Sequence, residues 1–307
     1  MLAGCATPQY AVHRTPVPDE SAAAIQIERT ISAMQAKEFE GHGARPIRPD
    51  EALRGFLVQR LVDRLSSVTE RPSLRYRAYL YNDTDPNAAA LADGRVYLST
   101  GLLNYLGSRG SRNDELAFIV GHELAHTVAQ HLVKRYRALQ QQQLLMAIVS
   151  AGTAAVTRNA DAGLQQAGRL ALDVASLLND VAISGYSQGQ ELEADQLGIR
   201  YVIRAGLNPG AALDLLEDFE RFDNPWPFLR THPYIAQRRE NLRRYLHDTG
   251  YGAGASAGIR APSRPATVRQ AETDRLPQLR QVQTLYPAGS LSWKNLQRQI
   301  DELEGRR

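Results

Sequence analysis

A short apolar segment with two histidines constrains the fold of this chain more than any other feature. Residues 119–126 read Ile-Val-Gly-His-Glu-Leu-Ala-His and contain the pattern His-Glu-x-x-His. Apolar residues recur at helical spacing around this pattern, which predicts a helix from Ser111 or Asn113 to about residue 140. Because each helical residue turns by about 100°, His122 and His126 lie one turn apart on nearly the same face.

This pair of imidazoles predicts a metal site. Both rings can direct a nitrogen at one ion, and Glu123 can accept a proton from a water bound to that ion. The alternative is a helix whose histidines make ordinary hydrogen bonds. Because Cys5 is the sole cysteine, an internal disulfide and a multi-cysteine metal site are excluded. A transition metal would have to be held by histidine and carboxylate side chains.

A catalytic zinc needs a third protein ligand and one open position. His131 lies nine residues after His122, a spacing that does not match the metzincin pattern. We therefore interpret His131 as a residue that packs in the helix or contacts a ligand, rather than as a ligand itself.

A better candidate ligand lies in Gln-Glu-Leu-Glu-Ala-Asp at 190–195. Glu191 and Asp195 share a helical face, so Glu191 can bind the ion while Asp195 accepts a hydrogen bond from a ligating histidine. Glu193 points about 160° away from that direction in a regular helix and is expected in solvent. Without the two histidines, an exposed acidic helix would be the preferred interpretation.

The remaining pattern predicts an α+β, mostly helical fold with a small antiparallel sheet. Residues 74–80 and 95–99 alternate in the manner of strands, and Asp93-Gly94 supplies a turn before the second of them. Apolar segments at 144–156 and 170–183 predict a helical hairpin, for which a buried position is favoured over a membrane surface. Neither segment reaches the length of about 18 residues that a membrane span needs.

Three regions are expected along the chain. Residues 1–48 contain a Pro- and Ala-rich tether and a short helix, 49–248 form the main domain, and 249–307 form a linker and a small extension. The sequence is 43% hydrophobic and 22% charged, as in ordinary folded proteins. Its basic residues form no long run, so no nucleic-acid binding is expected.

The first residues suggest a cellular address. Leu-Ala-Gly-Cys at 2–5 resembles a bacterial lipobox, although the signal peptide is incomplete in this sequence. The resemblance implies lipidation of Cys5. Ala6 follows where an aspartate would mark inner-membrane retention, so it also implies a periplasmic protein anchored to the outer membrane by its lipid. The alternative is that Cys5 is an ordinary residue of a flexible tail.

Four motifs together resemble the HtpX, BepA and CAAX-prenyl-endopeptidase group of gluzincin zinc metallopeptidases. The likeness covers about residues 50–247, and the lipobox narrows it to the periplasmic lipoprotein branch. No repeat domain like that of BepA is recognisable, so the partners of BepA do not transfer directly. In chain order, the motifs are the segment 87–103, His-Glu-Leu-Ala-His at 122–126, Glu-Leu-Glu-Ala-Asp at 191–195, and Thr-His-Pro at 231–233 followed by Arg238.

The resemblance implies one zinc ion per chain on His122, His126 and Glu191, with Glu123 as the general base and Asp195 in contact with a ligand. It also implies that a strand beside the cleft is an exposed edge, to which an extended substrate adds as a further strand. The alternative is an internal strand of the sheet. The residues of this strand are Arg95, Val96, Tyr97 and Leu98.

The resemblance leaves the role of His232 open. This histidine can stabilise the oxyanion of the reaction as a catalytic residue, or it can occupy the open zinc position and keep the enzyme latent. Arg238 is expected close to the ligands. The simpler alternative is that His232 and Pro233 shape a loop while Arg238 pairs with a carboxylate.

The function expected from these features is zinc-dependent hydrolysis of peptide bonds in unfolded or misassembled cell-envelope proteins by metal-activated water. Expected partners are such substrates, the membrane through the lipid, and a candidate outer-membrane assembly machinery. The alternative is a non-proteolytic envelope chaperone or assembly factor with a latched zinc site. A purely structural zinc is disfavoured because three ligands leave a position that structural sites normally fill.

Overall fold

The computed structural model describes residues 12–108, 113–151, 173–181, 185–221 and 227–251, together with a few isolated positions. It divides into two compact units, Met1–Ala253 and Gly254–Arg307. Nearly all described residues belong to the first unit. Cys5 and most of the predicted linker and extension lie outside the described residues.

The first unit is mostly helical, as the sequence predicts. None of the described helices has the length and apolar character that a bilayer crossing requires. The helices are α1 (Ala22–Gly41), α2 (Val58–Ser66), α3 (Thr100–Ser108), α4 (Asn113–Val128), α5 (His131–Ala151), a helical stretch at 173–181 that we label α6, α7 (Gln188–Arg204), α8 (Ala211–Phe219), α9 (Pro227–Thr231) and α10 (Ile235–Asp248).

The helix that carries His-Glu-x-x-His ends earlier than its pattern predicts. α4 stops at Val128, and α5 begins three residues later at His131. Between them, Gln130 has a φ of 54°, in the left-handed region that ends a right-handed helix. The predicted single helix to about residue 140 is therefore two helices with a change of direction between them.

The sheet contains four strands: β1 (Arg45–Pro46), β2 (Arg77–Tyr81), β3 (Ala88–Ala90) and β4 (Arg95–Ser99). Their spatial order is β1-β2-β4-β3. β1 pairs with β2 and β3 pairs with β4 in antiparallel fashion, whereas β2 and β4 run parallel, with Ala78 opposite Val96. The expectation of an antiparallel sheet is wrong for this central pair, and the sheet is mixed. The physical reason is that β3, and not β2, forms the antiparallel hairpin with β4. β2 then pairs with the opposite edge of β4, where it runs parallel.

The same topology corrects the expectation of an exposed edge at Arg95, Val96, Tyr97 and Leu98. These residues belong to β4, which lies inside the sheet between β2 and β3. The end strand on this side is β3, and it packs beside α4. β3 has only three residues, all alanine, so the strand-forming pattern from which β4 was recognised is absent there.

Both faces of the sheet are covered. On one face, Val96 and Leu98 of β4 join the main core with the apolar side of α4. On the other face, Tyr97 stacks between Tyr79 and Phe39 of α1, with ring centroids 4.9 and 4.2 Å apart. The short helix predicted before the main domain is thus α1, and it closes one side of the sheet.

A second core joins α1, α5 and α6. Val174 and Leu177 of α6 pack with Ile31 of α1 and with Leu132 and Tyr136 of α5, and all five are buried. One arm of the predicted hairpin is therefore buried where it is described. Residues 152–172, which include the tip of that hairpin, lie outside the described residues.

The predicted tether lies against the domain over its described part. The backbone N–H of His13 donates to Gln196 of α7 at 2.8 Å, and the N–H of Asp19 donates to Gln130 at 2.7 Å. Gln130 returns a hydrogen bond to the Asp19 carbonyl at 2.8 Å. We call residues 12–20 the N-terminal strap.

Candidate metal centre

Two helices in close contact bring the predicted ligands together. α4 carries His122, Glu123 and His126, and α7 carries Glu191. The two helices make the most extensive contact between elements of the structure. A capping box, in which Ser187 and Gln190 bond reciprocally, fixes the start of α7 close before Glu191.

A pair of glycines permits this contact. Gly121 of α4 faces Gly198 of α7, and a Cβ atom on Gly198 would lie 2.7 Å from the backbone nitrogen of His122. A Cβ on Gly121 would lie 2.9 Å from the Gly198 carbonyl oxygen. Any larger residue at either position would push the helices apart, so the glycines set the distance between the histidines and Glu191.

Four side chains place one possible ligand atom each within 4.8 Å of all the others: His122, His126, Glu191 and His232. His122 Nε2 lies 3.1 Å from both His126 Nε2 and His232 Nδ1. Glu191 Oε1 lies 3.1 Å from His232 Nδ1 and 3.4 Å from His126 Nε2. Ligands about 2.1 Å from a tetrahedral ion are separated by about 3.4 Å, so these four contacts are short enough for the side chains to share one ion.

Two buried carboxylate oxygens support the presence of a cation. Glu191 Oε2 and Glu123 Oε1 accept no hydrogen bond from the residues that the structure describes. Their closest cationic contacts are Arg238 Nη1 at 2.8 Å and His232 Nε2 at 3.2 Å, both without hydrogen-bond geometry. Arg238 compensates part of the charge of Glu191, and a metal ion would compensate the remaining negative charge of the two buried carboxylates. The donor set of imidazoles and a carboxylate suits zinc.

The protonation states fit the same conclusion. Burial lowers the pKa of His126 well below its usual value and favours the neutral ring that binds metals. Burial alone would raise the pKa of Glu191, but the charge of Arg238 and those of nearby histidines outweigh it and hold this pKa well below the usual range. Glu191 is therefore ionised and His126 neutral, as ligands of a cation must be.

Asp195 and Arg238 hold His122 in position. Asp195 Oδ1 lies 2.8 Å from His122 Nδ1, on the side of the ring away from the cluster. Arg238 donates to both oxygens of Asp195, at 2.8 and 2.7 Å. Burial would raise the pKa of Asp195, but this guanidinium keeps it below the usual value. A carboxylate there fixes the tautomer that leaves His122 Nε2 free for a metal.

His232 lies in the turn between α9 and α10, where Arg238 donates to its carbonyl at 3.1 Å. His232 as a whole is 2% exposed. Burial would lower its pKa, but the carboxylates of Glu123 and Glu191 outweigh this and raise the pKa. The neighbouring Tyr234 has a φ of 68°, a left-handed conformation that is strained for a large side chain.

Glu123 lies between the edge strand and His232. Its Oε2 accepts a hydrogen bond from the backbone N–H of Ala90 in β3 at 3.0 Å. The carboxylate is thus oriented by the strand that ends the sheet.

Two contacts escaped the sequence analysis. The ring of Tyr186 packs against that of His126 with centroids 3.9 Å apart, and nothing in the sequence marks this aromatic residue as different from a core residue. Glu193, expected in solvent, is half-buried and lies 3.3 Å from His131. The sequence feature that could have indicated this pair is His131, because a histidine five residues after His126 does not fit a ligand position and therefore needs another partner.

The fold and the site together define a metallopeptidase domain: a small sheet, a His-Glu-x-x-His helix beside its edge strand, and a glutamate from a second helix. A model of peptidase family M48 matches residues 54–246, and the chain belongs to that family. Members of this family depend on a metal.

Individual relatives agree with this assignment. The "Beta-barrel assembly-enhancing protease" of Yersinia pestis is 30% identical over 190 residues, covering 61% of this chain and 37% of that protein. The protein of the same name in Escherichia coli (strain K12) is 28% identical over 253 residues, covering 79% and 50%. "Mitochondrial metalloendopeptidase OMA1" of Schizosaccharomyces pombe is 26% identical over 226 residues, covering 72% and 62%. The chain spans less than two thirds of the length of each of these relatives.

Proposed function

We propose that this protein is a zinc-dependent endopeptidase that hydrolyses unfolded or misassembled cell-envelope proteins. The observation that carries the proposal is the compact cluster of His122, His126 and Glu191, whose ligand atoms lie close enough to share one ion, beside the carboxylate of Glu123. The three ligands are a composition typical of catalytic zinc sites.

When bound, zinc supplies Lewis-acid polarisation of a peptide carbonyl and an acidified water. Glu123 acts as the general base and passes the proton to the leaving amine. The hydrogen bond from Ala90 aims this carboxylate, and Asp195 with Arg238 keeps Nε2 of His122 directed at the ion.

The substrate strand is proposed to add to β3 rather than to β4. β3 ends the sheet and lies beside Glu123, so a peptide paired with it would pass the metal centre. Ala88 and Ala90 of this strand are buried in the main core, so β3 would offer its backbone rather than side-chain pockets to a substrate. Recognition through backbone hydrogen bonds suits a protease that accepts many unfolded segments.

The cellular setting is part of the proposal. Two relatives carry names that refer to β-barrel assembly, which supports envelope proteins as substrates and an outer-membrane assembly machinery as a partner. Lipidation of Cys5 would anchor the protein to the outer membrane, facing the periplasm.

A second candidate function rests on His232. Its Nδ1 lies at the fourth corner of the cluster, and the four possible ligand side chains are almost completely buried. In a latched resting state, the neutral ring of His232 would be the fourth ligand, and zinc would replace the proton that Glu123 and Glu191 favour on this ring. A protein held permanently in this state would serve as a non-proteolytic chaperone or assembly factor.

Zinc content and casein cleavage of purified wild type, Glu123→Gln and His232→Ala would test both candidates. We expect about one zinc ion per chain in wild type, and a loss of at least about 100-fold in cleavage for Glu123→Gln with zinc retained. Higher cleavage by His232→Ala would identify a latch, whereas a drop of about 100- to 1000-fold would identify oxyanion stabilisation. Undiminished cleavage by Glu123→Gln would contradict the mechanism. Full complementation of a deletion strain by that variant would favour the non-proteolytic function.

A further inference from the structure

A chain of polar contacts extends from His126 to the protein surface. His126 Nδ1 lies 2.8 Å from Nδ1 of His131, and His131 Nε2 lies 3.3 Å from Oε2 of Glu193. His131 is 1% exposed, whereas the side chain of Glu193 is 22% exposed. The chain therefore begins at a possible metal ligand in the interior and ends at a half-buried carboxylate.

The proton positions along this chain follow from its geometry. His126 Nε2 faces the other ligand atoms, so a neutral His126 ring carries its proton on Nδ1. That proton is donated to His131 Nδ1, which must accept and so carries no proton. The proton of His131 is then on Nε2, where it points at the Glu193 carboxylate. Each group has one assigned role, and both rings are neutral.

The helix break creates this contact. In a continuous helix, residue 131 would point about 140° away from residue 126. The left-handed backbone of Gln130 ends α4 and starts α5 in a new direction, which turns His131 back onto His126. Glu193 reaches the pair from α7, two residues after Glu191.

The two ligating histidines are therefore supported differently. His122 contacts the carboxylate of Asp195 directly, and Arg238 holds that carboxylate from behind. On its Nδ1 side, away from the cluster, His126 contacts His131, and the carboxylate of Glu193 lies beyond that ring. Partners of this kind fix the tautomer and orientation of a metal ligand.

We propose that His131 and Glu193 are positioning residues for His126, and that they set the affinity of the site for zinc. This inference rests on the proposed function, because it assumes that His126 binds zinc. His131 is not itself a ligand of the metal in this proposal. It supplies the acceptor that keeps His126 Nε2 aimed at the ion, and Glu193 keeps His131 in the accepting tautomer.

Three variants test the proposal by competition with a zinc chelator. His131→Phe keeps a planar ring but removes the acceptor, and we expect about 10- to 100-fold weaker zinc affinity. His131→Asn places an oxygen where Nδ1 stood, and we expect it to restore affinity to within about threefold of wild type. Glu193→Gln should weaken affinity by less than His131→Phe. His247→Phe, which changes an exposed histidine of α10, is the matched control.

Further measurements separate positioning from packing. We expect the visible absorption of the cobalt-substituted protein to shift in His131→Phe but not in His131→Asn. Adding Glu193→Gln to His131→Phe should cause no further loss, because Glu193 acts through His131. The proposal is wrong if His131→Phe binds zinc within twofold of wild type, or if His131→Asn binds as weakly as His131→Phe.

If His131→Phe does not fold, Glu193→Gln tests the proposal instead, because a substitution at a half-exposed residue disturbs the fold less than one at a buried ring. Unchanged zinc affinity in this variant would contradict the proposal. The proposed function fails separately: a wild-type protein that binds no zinc contradicts both, whereas a zinc-binding wild type with an indifferent His131 contradicts only this inference.

Discussion

At the scale of single residues, the site depends on buried charges that neutralise one another. Arg238 is 1% exposed and lies between Asp195 and Glu191, with contacts of 2.7 and 2.8 Å. These carboxylates raise the pKa of Arg238 despite its burial, so it stays charged. Each member of such a group is stable inside the protein only because the others are present.

Removing one charge from this group should therefore weaken the metal site. Asp195→Asn keeps the shape of the side chain but loses the charge that pairs with Arg238 and orients His122. We expect about 10- to 100-fold weaker zinc affinity, measured by chelator competition. Asp214→Asn, which changes an exposed carboxylate of α8, should bind zinc like wild type. Equal affinities in both variants would contradict an orienting role for Asp195.

At the scale of elements, the distance between α4 and α7 decides the geometry of the ligands. Two of the proposed ligands come from α4 and one from α7, and the helices meet at Gly121 and Gly198, which have no side chains. The mixed sheet has a related role, because β3 places the N–H of Ala90 against Glu123.

Gly198→Ala tests this close approach. Its added methyl group would lie 2.7 Å from the His122 nitrogen, so the helices must separate. We expect a loss of about 1 to 3 kcal/mol in the free energy of unfolding of the metal-free protein, together with weaker zinc binding. Gly189→Ala in the same helix meets no atom within 4 Å and should stabilise the protein by about 0.5 to 1 kcal/mol. Urea denaturation would compare the two, and equal effects would contradict the steric argument.

At the scale of the whole domain, a buried polar network ties the residues before position 49 to the rest of the first unit. Glu28 of α1 accepts two hydrogen bonds from Arg71, at 2.8 and 3.1 Å, and one from Gln130 at 2.7 Å. Gln130 also binds the N-terminal strap at Asp19. α1 and the strap are thus attached directly to the turn that follows the His-Glu-x-x-His helix.

Breaking this network should destabilise the domain as one unit. Among the described residues, Glu28→Gln leaves the buried Arg71 with one carboxylate contact, at 3.4 Å to the exposed Glu20. We expect the free energy of unfolding to fall by about 3 to 5 kcal/mol in a single transition. Glu40→Gln, at the exposed end of α1, should change it by less than about 0.5 kcal/mol. A separate early transition in Glu28→Gln would show that α1 folds independently of the remainder.

The sequence was informative wherever a contact follows from helical spacing. His122 with His126, and Glu191 with Asp195, are pairs four residues apart, and a regular helix places such pairs on one face whatever surrounds it. The edge strand was missed because Ala88–Ala90 has neither the length nor the residue types of a recognisable strand. The contact between His131 and Glu193 was missed because no glycine or proline marks the helix break at Gln130, which changes the direction of the His131 side chain.

The sequence by itself thus determined that histidine and carboxylate side chains are available to a metal, and which of them lie on the same face of a helix. It could not prescribe how α4 meets α7, which strand ends the sheet, or that His232 enters the cluster from a turn 110 residues after His122. Those outcomes depend on packing between segments distant in the chain. The close contact at Gly121 and Gly198, the left-handed backbone of Gln130 and the ion pairs of buried Arg238 stabilise the observed arrangement. The spacing of residues along a helix follows from local backbone geometry, whereas the contact between two helices depends on how side chains from the whole core pack together.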